Sequence, residues 1–361
     1  MPRLPHSLLL RARNISSLLP LVLRGARSLD SAINELRWLR EHVEEICVNK
    51  PEEHFHRTLF RLCKRRSRGE PLQYILRSQP FGDLDIECKP GVLIPRPETE
   101  ACTIHLAGLL VQERLRPLTE GTNQRPRQSD AQSSLKIVDL CTGTGCIPLL
   151  LHSQLTPTFK SIRCMGWDIS KDAVSLARAN LTRNELLKNI TAPDSQSSPS
   201  ITFERVDIFS DFTDQQLRDL KCDVLVSNPP YISHQSFKYE TTRSVRNWEP
   251  KLALVPSIPQ KGGCLPQDVF YDRLLHLHLK VCGSRILLME VGDDEQAIRV
   301  AQLAIGRLRE DLDASRVVQI ELWRDSPDSL PLDNELQEYD LDGYNINVRG
   351  SGTLRAVVLV S

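Results

Sequence analysis

Four consecutive residues, Asn228, Pro229, Pro230 and Tyr231, join a carboxamide, two rigid rings and a phenol directly after the apolar run Asp223 to Ser227. The run reads as a buried strand. In open α/β sheets ligands bind at strand carboxyl ends. Proline fixes φ and carries no N–H, so the carbonyls here can be held toward a pocket. The Asn228 oxygen accepts hydrogen bonds and Tyr231 offers a flat face. The set suits gripping a planar –NH2 group and presenting its nitrogen to an electrophile. The plain alternative is a proline-rich turn after a strand.

A second constellation precedes it. Ile137 to Cys146 reads as a strand, a turn containing Gly143 and Gly145, and a helix start. Glycine lets backbone approach a ligand closely. A dinucleotide fingerprint needs Gly or Ala where Pro148 stands, and no phosphate-loop Lys-Ser/Thr pair follows. The pattern is instead D-x-x-T-G-T-G. Asp139 would repel a pyrophosphate and favour the amino group and sulfonium of S-adenosylmethionine. The next strand candidate ends in Asp168, whose two oxygens can accept ribose hydroxyls. The third ends in Asp207, placed to accept from an adenine amino group, with Ile208 and Phe209 to flank the ring. Each Asp alone also reads as a helix N-cap. Three acidic strand ends followed by Asn228 to Tyr231 at a fourth are hard to assign to capping alone.

The elements that must position these residues alternate. Strand candidates fall at 135–140, 161–168, 201–206, 222–227, 284–291, 316–323 and 353–360. Helix candidates fall at 146–154, 170–184, 267–280 and 293–308. This alternation predicts an α/β fold with a mainly parallel sheet covered on both faces. Polar stretches at 114–134, 191–200 and 325–342 read as a linker or insertion and two surface loops. Before the sheet, Ser28 to Arg68 has helical periodicity. The second of its two helices ends in Lys64, Arg65, Arg66 and Arg68, which suit a helix dipole. Residues 70–96 read as a hairpin or linker, and Pro97 as a helix start.

The chain has 361 residues, 40% hydrophobic and 25% charged, with equal numbers of basic and acidic side chains. That balance fits a soluble globular protein and argues against duplex DNA as a bulk partner. The 10 cysteines include no C-x-x-C pair and the nine His are dispersed, so no metal site is expected. No apolar run reaches membrane-span length. Arg3, Arg11, Arg13, Arg24 and Arg27 precede the first acid, Asp30, among serines and leucines. Residues 1–27 therefore read as a mitochondrial targeting segment, or else as a basic first helix.

With these residues in hand, the sequence resembles the release-factor glutamine methyltransferases, the HemK/PrmC family. The resemblance is carried by Glu70 to Ile75, Ile94-Pro95-Arg96-Pro97-Glu98-Thr99-Glu100, Asp139 to Gly145, Ala173 to Asn180, Asn228 to Tyr231, Trp248-Glu249-Pro250, Leu288 to Gly292 and Trp323-Arg324-Asp325. It implies a seven-stranded, Rossmann-like S-adenosylmethionine-dependent methyltransferase domain at 97–361. A hairpin at 70–96 would join this to a helical substrate-docking domain at 28–69. It implies methyl transfer to the side-chain amide nitrogen of the Gln in the Gly-Gly-Gln motif of a class-1 peptide chain release factor, a protein partner, with no nucleic acid or membrane required and the enzyme a monomer. Cys141, Thr142, Gly143, Thr144 and Gly145 would line the methionine part of the cofactor. Asp168 would hold the ribose, Ile208 would pack near the adenine, and Asn228, Pro229, Pro230 and Tyr231 would hold the Gln.

Cys141 stands where the family usually has Gly, so a positive φ there would be strained. The stretch 325–347 is longer than the usual family tail. The rival readings are a DNA or RNA N(6)-adenine methyltransferase, which also grips a planar amino group but needs a basic groove and a base-flipping pocket, a non-catalytic assembly or RNA-binding module, and, more weakly, a Rossmann oxidoreductase. The helical region together with the Arg-rich leader places the expected enzyme in the mitochondrial matrix.

Overall fold

The computed structural model of the protein describes residues 4–115, 134–191, 200–257, 264–310 and 318–361. The linker expected at 114–134 and the loop at 191–200 lie almost wholly outside these residues.

Four helices open the chain: α1 (His6–Ile15), α2 (Leu19–Ala26), α3 (Leu29–Ile46) and α4 (Glu52–Ser67). Ser28 caps α3 by accepting from the Ser31 N–H at 3.1 Å. Their apolar faces share one core, with Ala12, Leu19, Val22 and Leu23 packed among Leu36, Leu39, Val43, Leu59 and Leu62. The segment expected as a leader thus supplies side chains to this core. Of the basic residues expected to serve the helix dipole, Lys64, Arg65 and Arg66 do lie in the last turn of α4, and two of them also pair with carboxylates. Arg66 Nε meets Glu35 Oε2 at 2.6 Å in a buried pair, and Arg65 Nε donates to Glu70 Oε2 at 2.8 Å.

A short helix α5 (Leu72–Leu76) and the hairpin β1 (Gln79–Phe81) and β2 (Leu84–Ile86) lead to α6 (Pro97–Leu115). There follow β3 (Ser134–Leu140), α7 (Cys146–Leu155), β4 (Ser161–Asp168), α8 (Lys171–Leu186), β5 (Ile201–Arg205), α9 (Asp214–Leu220) and β6 (Val224–Ser227). The chain continues through α10 (His234–Tyr239), α11 (Arg243–Trp248), α12 (Val269–His276), β7 (Ile286–Glu290), α13 (Asp294–Glu310), β8 (Gln319–Ser326), β9 (Glu338–Leu341), β10 (Tyr344–Arg349) and β11 (Ser351–Val360).

The sheet order is β5-β4-β3-β6-β7-β11-β8-β10-β9. Strands β5, β4, β3, β6 and β7 are parallel, and β11 inserts antiparallel between β7 and β8. The seven strands expected of the methyltransferase fold are present, and the sheet has nine. The extra two come from the tail: β9 lies in the stretch 325–342 read as a loop, and β10 follows it. Leu341 and Tyr344 close a hairpin over Asp342 and Gly343, both at positive φ, and β10 then pairs parallel with β8. Ile346 anchors it in the core.

Each sheet face carries its own core. On one, Ile137, Val226 and Leu288 meet Leu149 and Leu150 of α7 and Leu106 and Leu110 of α6. On the other, Val138, Leu225 and Leu287 meet Leu274 of α12 and Ala297, Val300 and Ala301 of α13. Chain order reverses between β3 and β6, so a crevice opens at the carboxyl ends of these two strands.

Candidate active site

That crevice is occupied by the two constellations read from the sequence. Between β3 and α7 the chain turns through Cys141 to Gly145. Thr142 N donates to Trp167 O at 2.9 Å and Gly145 N to Thr142 O at 2.9 Å. Gly145 has φ +80°, and a Cβ there would come within 2.9 Å of the Phe203 ring. Asn180 of α8 braces the turn from behind. Its Nδ2 donates to Thr144 O at 3.0 Å, while its Oδ1 accepts from Glu87 N, next to the hairpin, at 2.7 Å.

A cavity of about 310 Å³ stands against this turn, within the range of small-molecule sites. Cys141, Thr142, Gly143, Thr144, Asp168, Asp207, Ile208, Asn228 and Pro230 all reach its wall. Asp168 accepts from Gly143 N at 2.9 Å and from Ser170 N at 2.8 Å, one bond on each oxygen. The cap of α8 is Ser170, which leaves Asp168 to the cavity. Asp207 is exposed and accepts from Phe209 N at 2.9 Å. Phe209 and Phe270 meet edge to face at 4.9 Å and close the far side.

Asp139 is placed otherwise than expected. It does not reach the cavity wall but lies fully buried behind the turn. By strict geometry neither carboxylate oxygen is hydrogen-bonded, nor is the Thr142 hydroxyl, which nonetheless stands near enough to favour the charged form. Burial pushes the Asp139 carboxyl up to about 8, with the Thr142 hydroxyl opposing and the Asp168 charge reinforcing. Cys141 adopts φ +64°, the left-handed region where glycine is favoured. Gly145 stands behind the wall as the residue before α7.

Asn228 and Tyr231 are held by residues for which the sequence suggested no role. Asn228 Nδ2 donates to Thr99 Oγ1 at 3.2 Å, and Thr99 donates to Glu290 Oε2 at 2.6 Å. Tyr231 OH faces Glu290 Oε1 at 3.5 Å. A Cβ on Gly292 would stand 3.0 Å from the Tyr231 ring, so that ring lies close on bare backbone. Arg96 and Thr99 reach the cavity from the start of α6, and Pro250, Leu252 and Ala253 from the segment after α11. Pro229 and Tyr231 pack just behind Asn228 and Pro230, off the wall itself.

The family model for the methyltransferase small domain matches residues 126–247. The mitochondrial MRF1 N(5)-glutamine methyltransferase MTQ1 of Saccharomyces cerevisiae is 34% identical over 327 residues, 90% of this chain and 86% of its own. The chain belongs to the release factor glutamine methyltransferase family. The probable MRF1 mitochondrial N(5)-glutamine methyltransferase of Schizosaccharomyces pombe is 31% identical over 79% of this chain and 84% of its own. A release factor glutamine methyltransferase of Bacteroides thetaiotaomicron is 34% identical over 55% of this chain and 56% of its own.

This methyltransferase is S-adenosylmethionine-dependent, and its residues fit that cofactor. The buried Asp139 carboxyl behind the turn has no hydrogen-bond partner to fix its charge, so a nearby cation favours its ionised form and a pyrophosphate would not. Asp168 keeps a lone pair on each oxygen after its two backbone bonds. Apolar Ile208, Phe209 and Phe270 face a ring-sized space. Among the described residues no cluster of His, Cys, Asp or Glu could hold a metal, and no helix is long and apolar enough to cross a membrane.

Proposed function

We propose that this enzyme methylates the side-chain amide nitrogen of the Gln in the Gly-Gly-Gln motif of a class-1 peptide chain release factor, as a monomer in the mitochondrial matrix. The observation that carries the reading is one shared cavity. The Asn228–Pro230 corner and the Cys141–Thr144 turn stand on its wall together. The names of the two yeast relatives, both mitochondrial and both directed at MRF1, support the substrate and the compartment.

When bound, S-adenosylmethionine supplies an electrophilic methyl group on a sulfonium. The chain's own residues must then deal with a poor nucleophile, since an amide lone pair is delocalised into its carbonyl. Asn228 Oδ1 and the Pro229 carbonyl accept the two N–H bonds and aim the nitrogen. Tyr231, expected to pack on the amide plane, stands behind the wall and backs the corner against Gly292 and Glu290 instead. Positioning in a water-poor pocket is the main catalytic resource. Asp168 accepts the ribose hydroxyls, Asp207 the adenine amino group, and Ile208 flanks the base. Cys141, Thr142, Gly143 and Thr144 form the floor of the methionine part, with Gly145 behind them setting the turn. Asp139, protonated in the cofactor-free fold, would lose its proton as the cation binds and then supply negative charge behind it.

The helical unit at 28–69 is the proposed docking element for the release factor. It is tied to the catalytic unit where Ser244 Oγ donates to Gly69 O at 2.7 Å. Removal of a leader reaching into α1 would take Ala12 out of the helical core, and one reaching into α2 would take Leu19, Val22 and Leu23 as well.

The test is mass spectrometry of a mitochondrial release factor incubated with S-adenosylmethionine and the enzyme. One added methyl on the Gly-Gly-Gln glutamine is expected. An unmodified Gln, with the enzyme shown to bind S-adenosylhomocysteine, overturns the reading. A fluorescent fusion of residues 1–30 that stays cytosolic overturns the location.

A further inference from the structure

Glu290 ends β7 beside the Asn228 corner and takes no part in the steps above. It is 3% exposed. Its Oε2 accepts the Thr99 hydroxyl at 2.6 Å, and Thr99 Oγ1 accepts Asn228 Nδ2 at 3.2 Å. A threonine hydroxyl has a single hydrogen, and an ionised carboxylate has none to give. With that hydrogen committed to Glu290, Thr99 offers Asn228 only lone pairs. Asn228 must therefore turn its NH2 toward Thr99, which leaves Oδ1 for the substrate.

We propose that the Glu290–Thr99 pair is the specificity determinant for Gln over Glu, because it fixes which end of the Asn228 carboxamide the substrate meets. The inference rests on the proposed reaction and deepens it. A Gln side chain brings two N–H donors to Asn228 Oδ1 and the Pro229 carbonyl. A Glu side chain would bring lone pairs against lone pairs, and a site built to accept hydrogen bonds strongly rejects an analogue that cannot donate them. If the Thr99 hydrogen were released from Glu290, it could turn to Asn228 Oδ1. The carboxamide would then rotate by half a turn and present a donor, which suits a carboxylate and not an amide. Glu290 and Thr99 are positioning residues in this scheme, acting through Asn228.

The surroundings give the pair a pH dependence. Burial pushes the Glu290 carboxyl up to about 7, with Glu98 of α6 acting in the same direction. The Thr99 hydroxyl, Arg355 of β11 and Arg96 oppose it. Tyr231 and Tyr271, which donates to the Glu290 carbonyl at 2.9 Å, are themselves held protonated by burial. As pH falls through the Glu290 range, the carboxyl gains a proton that it can donate to Thr99 Oγ1, and the Thr99 hydrogen is no longer obliged to face it. Turnover then falls even at saturating cofactor.

The experiment compares wild type, E290Q, T99V and T99S on release-factor fragments carrying Gly-Gly-Gln or Gly-Gly-Glu. It reads kcat across pH, inhibition by the Glu fragment, and S-adenosylhomocysteine affinity by calorimetry as the check on folding. E290Q and T99V are expected to lose about 10²-fold in kcat, the scale of a misplaced reacting group. They should keep S-adenosylhomocysteine affinity within about twofold, since an interaction removed only from the reacting geometry leaves cofactor binding alone. The low-pH limb of wild type should vanish in E290Q, and the Glu fragment should inhibit E290Q about tenfold more strongly than wild type. T99S, which keeps the hydroxyl, should retain most of the turnover. The inference is overturned if E290Q binds S-adenosylhomocysteine normally yet keeps wild-type kcat and Gln-over-Glu discrimination. It is equally overturned if T99S falls as far as T99V. A wild-type enzyme that leaves Gln unmodified sinks the proposed reaction itself, and this inference with it.

Discussion

Arg96 Nη2 lies 2.7 Å from Glu249 Oε1, joining the segment before α6, whose Arg96 lines the cavity, to the segment after α11. The other Glu249 oxygen accepts from Ile94 N at 3.2 Å, and the carboxylate is 2% exposed. Pro250, Leu252 and Ala253, which follow it, line the cavity. Glu249→Ala should cost about 3 kcal/mol, because it leaves a guanidinium and a backbone N–H without their buried partner. Denaturant unfolding measures the loss. KM for the release factor should rise with it, as the cavity rim loosens.

Asn228→Ala removes one of two acceptors for the substrate amide. Turnover should drop about 10²- to 10³-fold, the usual effect of deleting one preorganised group. S-Adenosylhomocysteine affinity should stay close to wild type. Steady-state kinetics and calorimetry on the same preparation separate the two. An equal loss in both would place Asn228 in cofactor binding rather than in catalysis.

Asp139 carries a pH signature of its own. Its carboxyl in the folded protein sits near 8, above the ordinary carboxylate range. The cofactor-free fold therefore holds a proton that the unfolded chain releases, and stability falls as pH rises from about 4 toward about 8. Asp139→Asn should melt higher than wild type, by a margin that grows between about pH 5 and about pH 8. The same substitution should weaken S-adenosylmethionine binding about tenfold, since an opposite charge favours the ionised carboxylate and is favoured by it. Wild-type affinity should decline as pH drops below the Asp139 range, whereas the Asn variant should show a flat profile. Thermal melts and calorimetric titrations at matched pH values test both arms.

Cys141 holds φ +64° with a side chain in place of glycine's hydrogen. Left-handed backbone costs a non-glycine residue about 1 kcal/mol or more. Cys141→Gly should recover about that amount in denaturant unfolding. Cys141→Ala keeps the Cβ, so it should recover none. A Gly variant no more stable than the Ala variant would show that the turn is unstrained.

The central strands were legible because parallel strands covered on both faces read as continuous apolar runs. Val224–Ser227 and Ile286–Glu290 are buried at every position. The cofactor turn was legible because a short pattern carries its chemistry within a few residues. Asp139 was legible as important but not as buried, since a strand sequence does not say which side of the following turn faces the ligand. Thr99 and Glu290 escaped notice for another reason. Their partners are distant in the chain, 129 positions from Thr99 to Asn228 and 191 from Thr99 to Glu290. The signal available was that both lie in segments that carried the family resemblance. The hairpin of β9 and β10 was missed because its residues are mostly exposed and polar. Asp342-Gly343 was its one local mark, a two-residue turn favoured between antiparallel strands. The paired ends of α4 show a further limit. A basic last turn is visible in sequence, but the carboxylates that claim it are set by packing.

Asn180 has one further consequence. Its carboxamide touches the chain just past the hairpin with its oxygen and the glycine-turn carbonyl with its nitrogen. A macromolecule settling on the front helices would lean on the hairpin, and the lean would travel through Asn180, and through Asn184 bonded to Asp85, to the turn that seats the methionine part. Arrival of the protein to be modified and retention of the methyl donor would then be thermodynamically linked, each tightening or slackening the other by the same factor.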